Sequence, residues 1–240
     1  MRQINSRTQT QPKCVSVLAS TAKAPGGAQS FAAIGTVTQL SAKDTLIWEG
    51  DAADDVYQIV RGVACLYKLL PDGRRQVARF CHAGDVVGLT TDAQYPYTAD
   101  ALTGLTVVRI RRTDLDTRIE TDREFRRTVL RAIGKELSLA QNQLLLLGRK
   151  SATERVASFF QAMVEQARLE GGDGHSVALA MTRVDIADFL GLTHETVCRI
   201  ISLFKNQGII AIPDPHLIDI LLPEVLEEIA EGDGPEKLCA

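Results

Sequence analysis

The most regular feature of the chain is a seam of apolar residues. Leu130, Ile133, Leu137, Ala140, Leu144 and Leu147 recur at spacings of 3, 4, 3, 4 and 3. That heptad rhythm is narrower than the stripe a helix turns toward its own domain. It predicts a long helix over residues 122–148 that pairs with its twin in a parallel homodimer; a core helix within one chain is the competing reading. Before it, from about Thr36 to Arg111, short alternating or β-branched runs are cut by turn residues. "TLIWEGD", "VYQIVRGVACLYKLL", "DVVGL" and "LTVVRI" are the main pieces, and "LLPDGRR" carries an Asp-Gly hairpin turn. Short strands at this spacing predict an antiparallel barrel or roll.

After the seam, helical signals resume. In "SATERVASFF", Ser151 and Glu154 have the spacing of a capping box, so a new helix starts there. Next comes "MTRVDIADFLGLTHETVCRIISLFKNQGII". Thr182 with Asp185 opens one short helix and Gly191 ends it. Thr193 opens a second helix that runs to about Asn206. Two short helices joined by a tight glycine turn make a helix-turn-helix. Ala187 is small where the helices cross, and Val197, Ile200, Ile201 and Phe204 face inward. Thr193, His194, Glu195, Cys198, Arg199 and Ser202 are left on the outer face. In this motif that face enters the DNA major groove. "GIIAIPDPHLIDILLP" then reads as two strands of a wing, and Pro223 opens a last helix.

Charge sharpens this picture. The net charge of −3 argues against a uniformly basic nucleic-acid binder. The average hides a gradient: residues 109–160 carry an excess of five positive charges, and residues 211–240 an excess of seven negative ones. No apolar run is long enough for a membrane span, and the start lacks a signal-peptide pattern, so a cytoplasmic protein is expected. The cysteines Cys14, Cys65, Cys81, Cys198 and Cys239 are scattered, odd in number and form no CxxC pair, which fits a reduced compartment. Cys65 and Cys81 read as core. The histidines are scattered as well, so no metal site is expected. With no nucleophile–base pair and no phosphate loop, an enzyme is not expected either, and no catalytic residue is assigned.

The order of roll, long helix and winged helix-turn-helix resembles the CRP/FNR superfamily of bacterial transcription regulators. The resemblance spans about residues 31–230. "TRVDIADFLGLTHETVCR" is similar to its FNR and FixK branch, and the cysteine at 198 looks FixK-like. The implied fold is α+β. It comprises a flexible segment (1–30), a cyclic-nucleotide-binding-like β-roll (31–121), a dimerisation helix (122–148), a winged helix-turn-helix (149–231) and a flexible tail (232–240). The implied partners are a TTGAT-N4-ATCAA-like palindrome and RNA polymerase, and the implied targets are genes of microoxic respiration and nitrogen fixation. Glu195, Arg199 and His194 would then contact bases, since arginine suits guanine O6 and N7, and glutamate suits cytosine N4. Thr182, Arg183, Thr193, Thr196, Cys198, Ser202 and Lys205, with Lys150 and Ser151, are candidate phosphate contacts.

The superfamily's usual effectors fit this chain poorly. Cyclic-nucleotide members hold the ribose and phosphate with a Gly-Glu pair and a later Arg-Ser or Arg-Thr. Here "GDVVGL" offers Asp85, and "PYTAD" sets Tyr97-Thr98 where the arginine is needed. Iron–sulfur members need several N-terminal cysteines, and Cys14 stands alone there. No cofactor is therefore expected, and the chain reads as an effector-independent activator; the alternative is a regulator gated by another small molecule. Cys198 is either a passive neighbour of the DNA or an oxidation-sensitive brake. The end "EGDGPEKLCA" is either a frayed acidic tail or a handle for an energy-dependent protease.

Overall fold

The computed structural model describes Phe31 and residues 33–232. The expected flexible segment 1–30 with Cys14, and residues 233–240 with Cys239, lie outside the described residues. The described chain forms two compact units. The first comprises the described residues to Leu66 with Phe80–Ala132, and the second Tyr67–Arg79 with the residues from Ile133 onward.

The roll has two four-stranded sheets. One runs β1 (Thr36–Leu40), β8 (Leu105–Arg111), β3 (Asp55–Arg61) and β6 (Val86–Val87), antiparallel throughout. The other runs β2 (Thr45–Ile47), β7 (Thr98–Ala101), β4 (Ala64–Leu69) and β5 (Arg75–Cys81). Strand β8 explains the almost unbroken apolar run "LTVVRI". Its Leu105 and Val107 join the cluster inside the roll with Ile47, Ile59, Leu66 and Tyr95. Its Val108 and Ile110 belong to a second cluster on the opposite face, with Phe31, Val56, Leu115, Phe125 and Val129. A strand covered on both faces has no need of polar alternation. Cys65 and Cys81 are fully buried, as their strand positions led us to expect.

Two helices close the outer cluster: α1 (Arg112–Thr121) and the start of α2 (Arg123–Arg149). The apolar pattern of the sequence does not mark helix α1, which is charged nearly all round and buries only Leu115. Asp122 separates the two helices, its Oδ1 accepting the amides of Glu124 and Phe125 at 2.9 and 3.0 Å. The rings of Phe125 and Phe31 lie 5.1 Å apart, in the range of favourable aromatic contact. Further along α2 the apolar seam is open, with Leu137 58% and Leu144 72% exposed.

The second unit holds the rest of α2, then α3 (Ala152–Leu169), β9 (Ser176–Ala178), α4 (Arg183–Leu190), α5 (His194–Asn206), β10 (Ile210–Asp214), β11 (Leu217–Ile220) and α6 (Pro223–Glu231). The three strands form an antiparallel sheet in the order β10-β11-β9. Strand β9, only three residues after a glycine-rich loop, was too short to be legible. The tip of the β4–β5 hairpin also belongs to this unit. Its turn is closed by the Gly73 amide on the Leu70 carbonyl and the Leu70 amide on Arg74, at 2.9 and 2.8 Å. Gly73 has φ +87°, a value the Asp-Gly signal anticipates.

Arg155 on α3 organises this unit. Its guanidinium donates to the carbonyls of Lys150 at 2.9 Å, Leu147 at 2.9 Å and Leu190 at 3.0 Å. These carbonyls lie at or beside the C-terminal ends of α2 and α4, where peptide dipoles leave negative partial charge. Gln143 adds a bond from α2 to the Phe189 carbonyl at 2.7 Å. Lys150 does the same for α6, donating to the Ala230 carbonyl and to the Ser158 hydroxyl, both at 2.8 Å. Arg155→Met keeps the stem and removes the donors. We expect it to lower stability by about 2–3 kcal/mol, as lost charged hydrogen bonds do, with the helical circular dichroism signal melting earlier in urea. An unchanged midpoint would show that water replaces these bonds without cost.

Candidate nucleic-acid interface

The interface is built on α4 and α5. Thr182 caps α4 in a reciprocal box: its hydroxyl accepts the Asp185 amide at 3.2 Å, and Asp185 accepts the Thr182 amide at 2.8 Å. The Asp185 carboxylate also takes the Arg75 guanidinium, from the hairpin tip, at 2.6 Å. Burial works against that carboxylate, but Thr182 and Arg75 outweigh it and hold its pKa below the usual value. Gln76 donates to the Asp188 carbonyl at 2.6 Å, and Arg75 stacks 4.3 Å from the Tyr67 ring centroid. At the far end of α4, Gly191 adopts φ +63°, the left-handed cap that turns the chain toward α5. Ala187, 3% exposed, sits in the core shared by the two helices, and its carbonyl accepts the Leu192 amide at 3.0 Å.

Thr193 caps α5 through the Thr196 amide at 3.2 Å. Val197, Ile200, Ile201 and Phe204 are buried, as their spacing indicated. The opposite face carries the candidate contacts. Thr193, His194, Glu195, Arg199, Ser202 and Lys205 are exposed, while Thr196 and Cys198 are half-buried. The Glu195 carboxyl is held below its ordinary pKa by its own backbone amide and the Thr193 hydroxyl, so it stands as an ionised acceptor. Ser202 donates to the Cys198 carbonyl at 2.8 Å, a bond that leaves the hydroxyl oxygen able to accept.

Other candidates are placed differently. Thr182 is exposed at the start of α4. Arg183 beside it is half-buried with one guanidinium nitrogen, Nη1, enclosed and unbonded. Loss of water pushes the Arg183 pKa down, and the neighbouring Cys198 works in the other direction. Lys150 is engaged with α6, and Ser151 caps α3 with Glu154 in the expected box. His194 is a candidate base contact, and the scattered histidines predict no metal site. In the structure its Nε2 lies 3.4 Å from Sγ of Cys198. The signal was legible: four residues along a helix bring two side chains onto one face.

A β-roll joined through a long helix to a winged helix-turn-helix with an exposed polar recognition face defines a DNA-binding transcription regulator. The cyclic nucleotide-binding domain family matches residues 37–122, and the Crp-like helix-turn-helix domain family matches residues 154–229. The transcriptional activatory protein AadR of Rhodopseudomonas palustris is 39% identical over 207 residues, 86% of both chains. The nitrogen fixation regulation protein FixK of Azorhizobium caulinodans is 41% identical over 195 residues, covering 80% of this chain and 77% of that one. The solved structure of FixK2 from Bradyrhizobium japonicum superposes with a TM-score of 0.76 at 34% identity, over 82% of this chain and 97% of that one. The chain belongs to the CRP/FNR superfamily of transcription regulators, in its FixK-like branch.

The Asp185 geometry has a consequence in acid. A carboxylate whose folded pKa is depressed adds stability above its unfolded value and loses it as pH falls through the folded value. Wild type should therefore lose helical stability progressively below the ordinary carboxylate value of 3.8. Asp185→Asn should lack that component and be weaker by about 1.5–3 kcal/mol at neutral pH, having lost the charge-assisted bond to Arg75. Superimposable acid titrations of the two proteins, followed by circular dichroism, would remove Asp185 from this role.

Proposed function

We propose that this chain is a homodimeric activator that binds a TTGAT-N4-ATCAA-like palindrome without an effector. The observation that carries the reading is the outer face of α5, where Glu195 and Arg199 stand exposed on a helix whose other face is locked in the core. In this reading Arg199, Glu195 and His194 read base edges. Thr182, Arg183, Thr193, Thr196, Cys198, Ser202 and Lys205 set the register on phosphates, with Lys150 and Ser151 at the margin. The exposed residues of the α2 seam, Leu130, Ile133, Leu137, Ala140 and Leu144, with half-exposed Leu147, support a parallel pairing with a second copy. That pairing sets two recognition helices about one DNA turn apart, roughly 34 Å. RNA polymerase is the partner in activation, and genes of microoxic respiration and nitrogen fixation are the targets.

The roll supports independence from a cyclic nucleotide. Asp85 is 6% exposed, with its carboxylate accepting the His82 amide at 2.9 Å. Position 97 carries a phenol in place of a guanidinium, and its oxygen accepts the Gly88 amide at 3.0 Å. Tyr57, Tyr95 and Tyr97 pack on the interior cluster. Burial, with the Asp55 charge nearby, pushes the Tyr57 phenol up to about 12, so it adds no charge near neutrality. These residues do not fit a cyclic phosphate, which draws its strongest bonds from a cationic fork.

Cys198 would act as a brake on the same face. Its oxidation to a sulfenic or sulfinic acid adds bulk, and in the ionised acid negative charge, beside DNA phosphates. The protein is expected to act in the cytoplasm, and among the described residues no helix is long and apolar enough to cross a membrane.

Purified reduced protein should retard a duplex bearing the palindrome with no ligand added, and failure to do so would overturn the proposal. Arg199→Ala should lose about 1–3 kcal/mol of discrimination at one base pair of each half-site. Peroxide should abolish binding by wild type while Cys198→Ser resists; equal sensitivity would remove the brake. Leu137→Glu places two carboxylates face to face in the seam. It should yield monomers in analytical ultracentrifugation, and an intact dimer would rule out this pairing.

A further inference from the structure

We propose that His194 and Cys198 form a chelate for a thiophilic divalent metal ion, Zn2+ or Cd2+, on the outer face of α5. The two residues are four apart in the helix, and Nε2 and Sγ lie 3.4 Å from each other. A tetrahedral zinc ion holds sulfur at about 2.3 Å and imidazole nitrogen at about 2.0 Å, which sets those donors about 3.5 Å apart. The pair thus stands at the required bite already, with little side-chain rearrangement left to make. Both donors are within reach of solvent, His194 exposed and Cys198 half-buried, whereas Cys65 and Cys81 are fully buried. Among the described residues no cluster of three or more donors occurs, so water completes the coordination and occupancy is reversible.

On binding, the Cys198 thiol gives its proton to solvent and the ion bonds to the thiolate, a net gain of one positive charge. Arg183 interacts electrostatically with Cys198 and opposes a dication there. Hard ions such as Mg2+ lack a thiolate bond to offset that repulsion, so the site selects for thiophilic ions. One consequence rests on the DNA-binding reading: the ion and its waters fill the space the base edges need, which outweighs the ion's attraction to phosphate, so metal and duplex each lower the other's affinity by the same factor.

Co2+ serves as a spectroscopic stand-in for zinc, titrated into reduced full-length protein carrying Cys14→Ser and Cys239→Ser. We expect one equivalent per chain to give a thiolate-to-cobalt charge-transfer band that excess Zn2+ or Cd2+ erases. Cys198→Ser should abolish the band. His194→Gln should weaken binding by at least the roughly 10–100-fold typical of lost outer-shell support. No band, or equal affinity in wild type and His194→Gln, overturns the chelate. Specific duplex should then lower the band at fixed Co2+. A band unchanged with duplex bound overturns the competition and leaves the chelate standing. Failure to bind duplex at all counts against the DNA reading alone, because the metal titration contains no DNA.

Discussion

The C-terminal unit depends on how its helices end. Every α-helix leaves its last carbonyls unpaired, and a short helix has few other bonds with which to offset them. Helix α4 has eight residues, too few to be stable alone in water. Here two cations gather those ends. Arg155 takes the carbonyls of Leu147, Lys150 and Leu190, and the ammonium of Lys150 takes that of Ala230. The ends of α2, α4 and α6 are thereby fixed to α3. The angle at which α5 leaves Gly191 is anchored by bonds made elsewhere, so α5 can leave its outer face to a partner.

Features encoded within a few residues were legible in the sequence. The Ser151–Glu154 and Thr182–Asp185 boxes, the left-handed Gly191 and the small Ala187 each rest on steric or hydrogen-bonding demands that one position satisfies. The same holds for the inward set Val197, Ile200, Ile201 and Phe204, which follows from helical period alone. Features that depend on distant partners were not legible. Arg155 reads as one more cation on a charged helix, and nothing local says that three carbonyls await it. Helix α1 carries no periodic signal, since its place over the sheet is determined by Leu115 and by the chain continuing into α2. The His194–Cys198 contact falls between these cases. Its spacing was visible, but the chemistry expected of the motif drew both residues toward DNA instead.

The two faces of α5 illustrate a division of labour. The buried face contains only carbon side chains, whose removal from water contributes about 1.5–3 kcal/mol each. The outer face contains acid, base, thiol, hydroxyl and imidazole within three turns. It adds little to folding, and so it is free to carry chemistry.

The hairpin tip has a consequence for how the protein is made. Arg75 meets Asp185 across 110 residues of sequence, and Gln76 meets Asp188 across 112. A ribosome adding about 5–20 residues per second needs roughly 6–22 seconds to cover that distance. The hairpin of β4 and β5 leaves the ribosome first and can close its own turn, but its bonds to α4 wait until that helix has emerged. The side-chain bonds from Arg75 and Gln76 to α4 are thus among the last that the early-made hairpin forms.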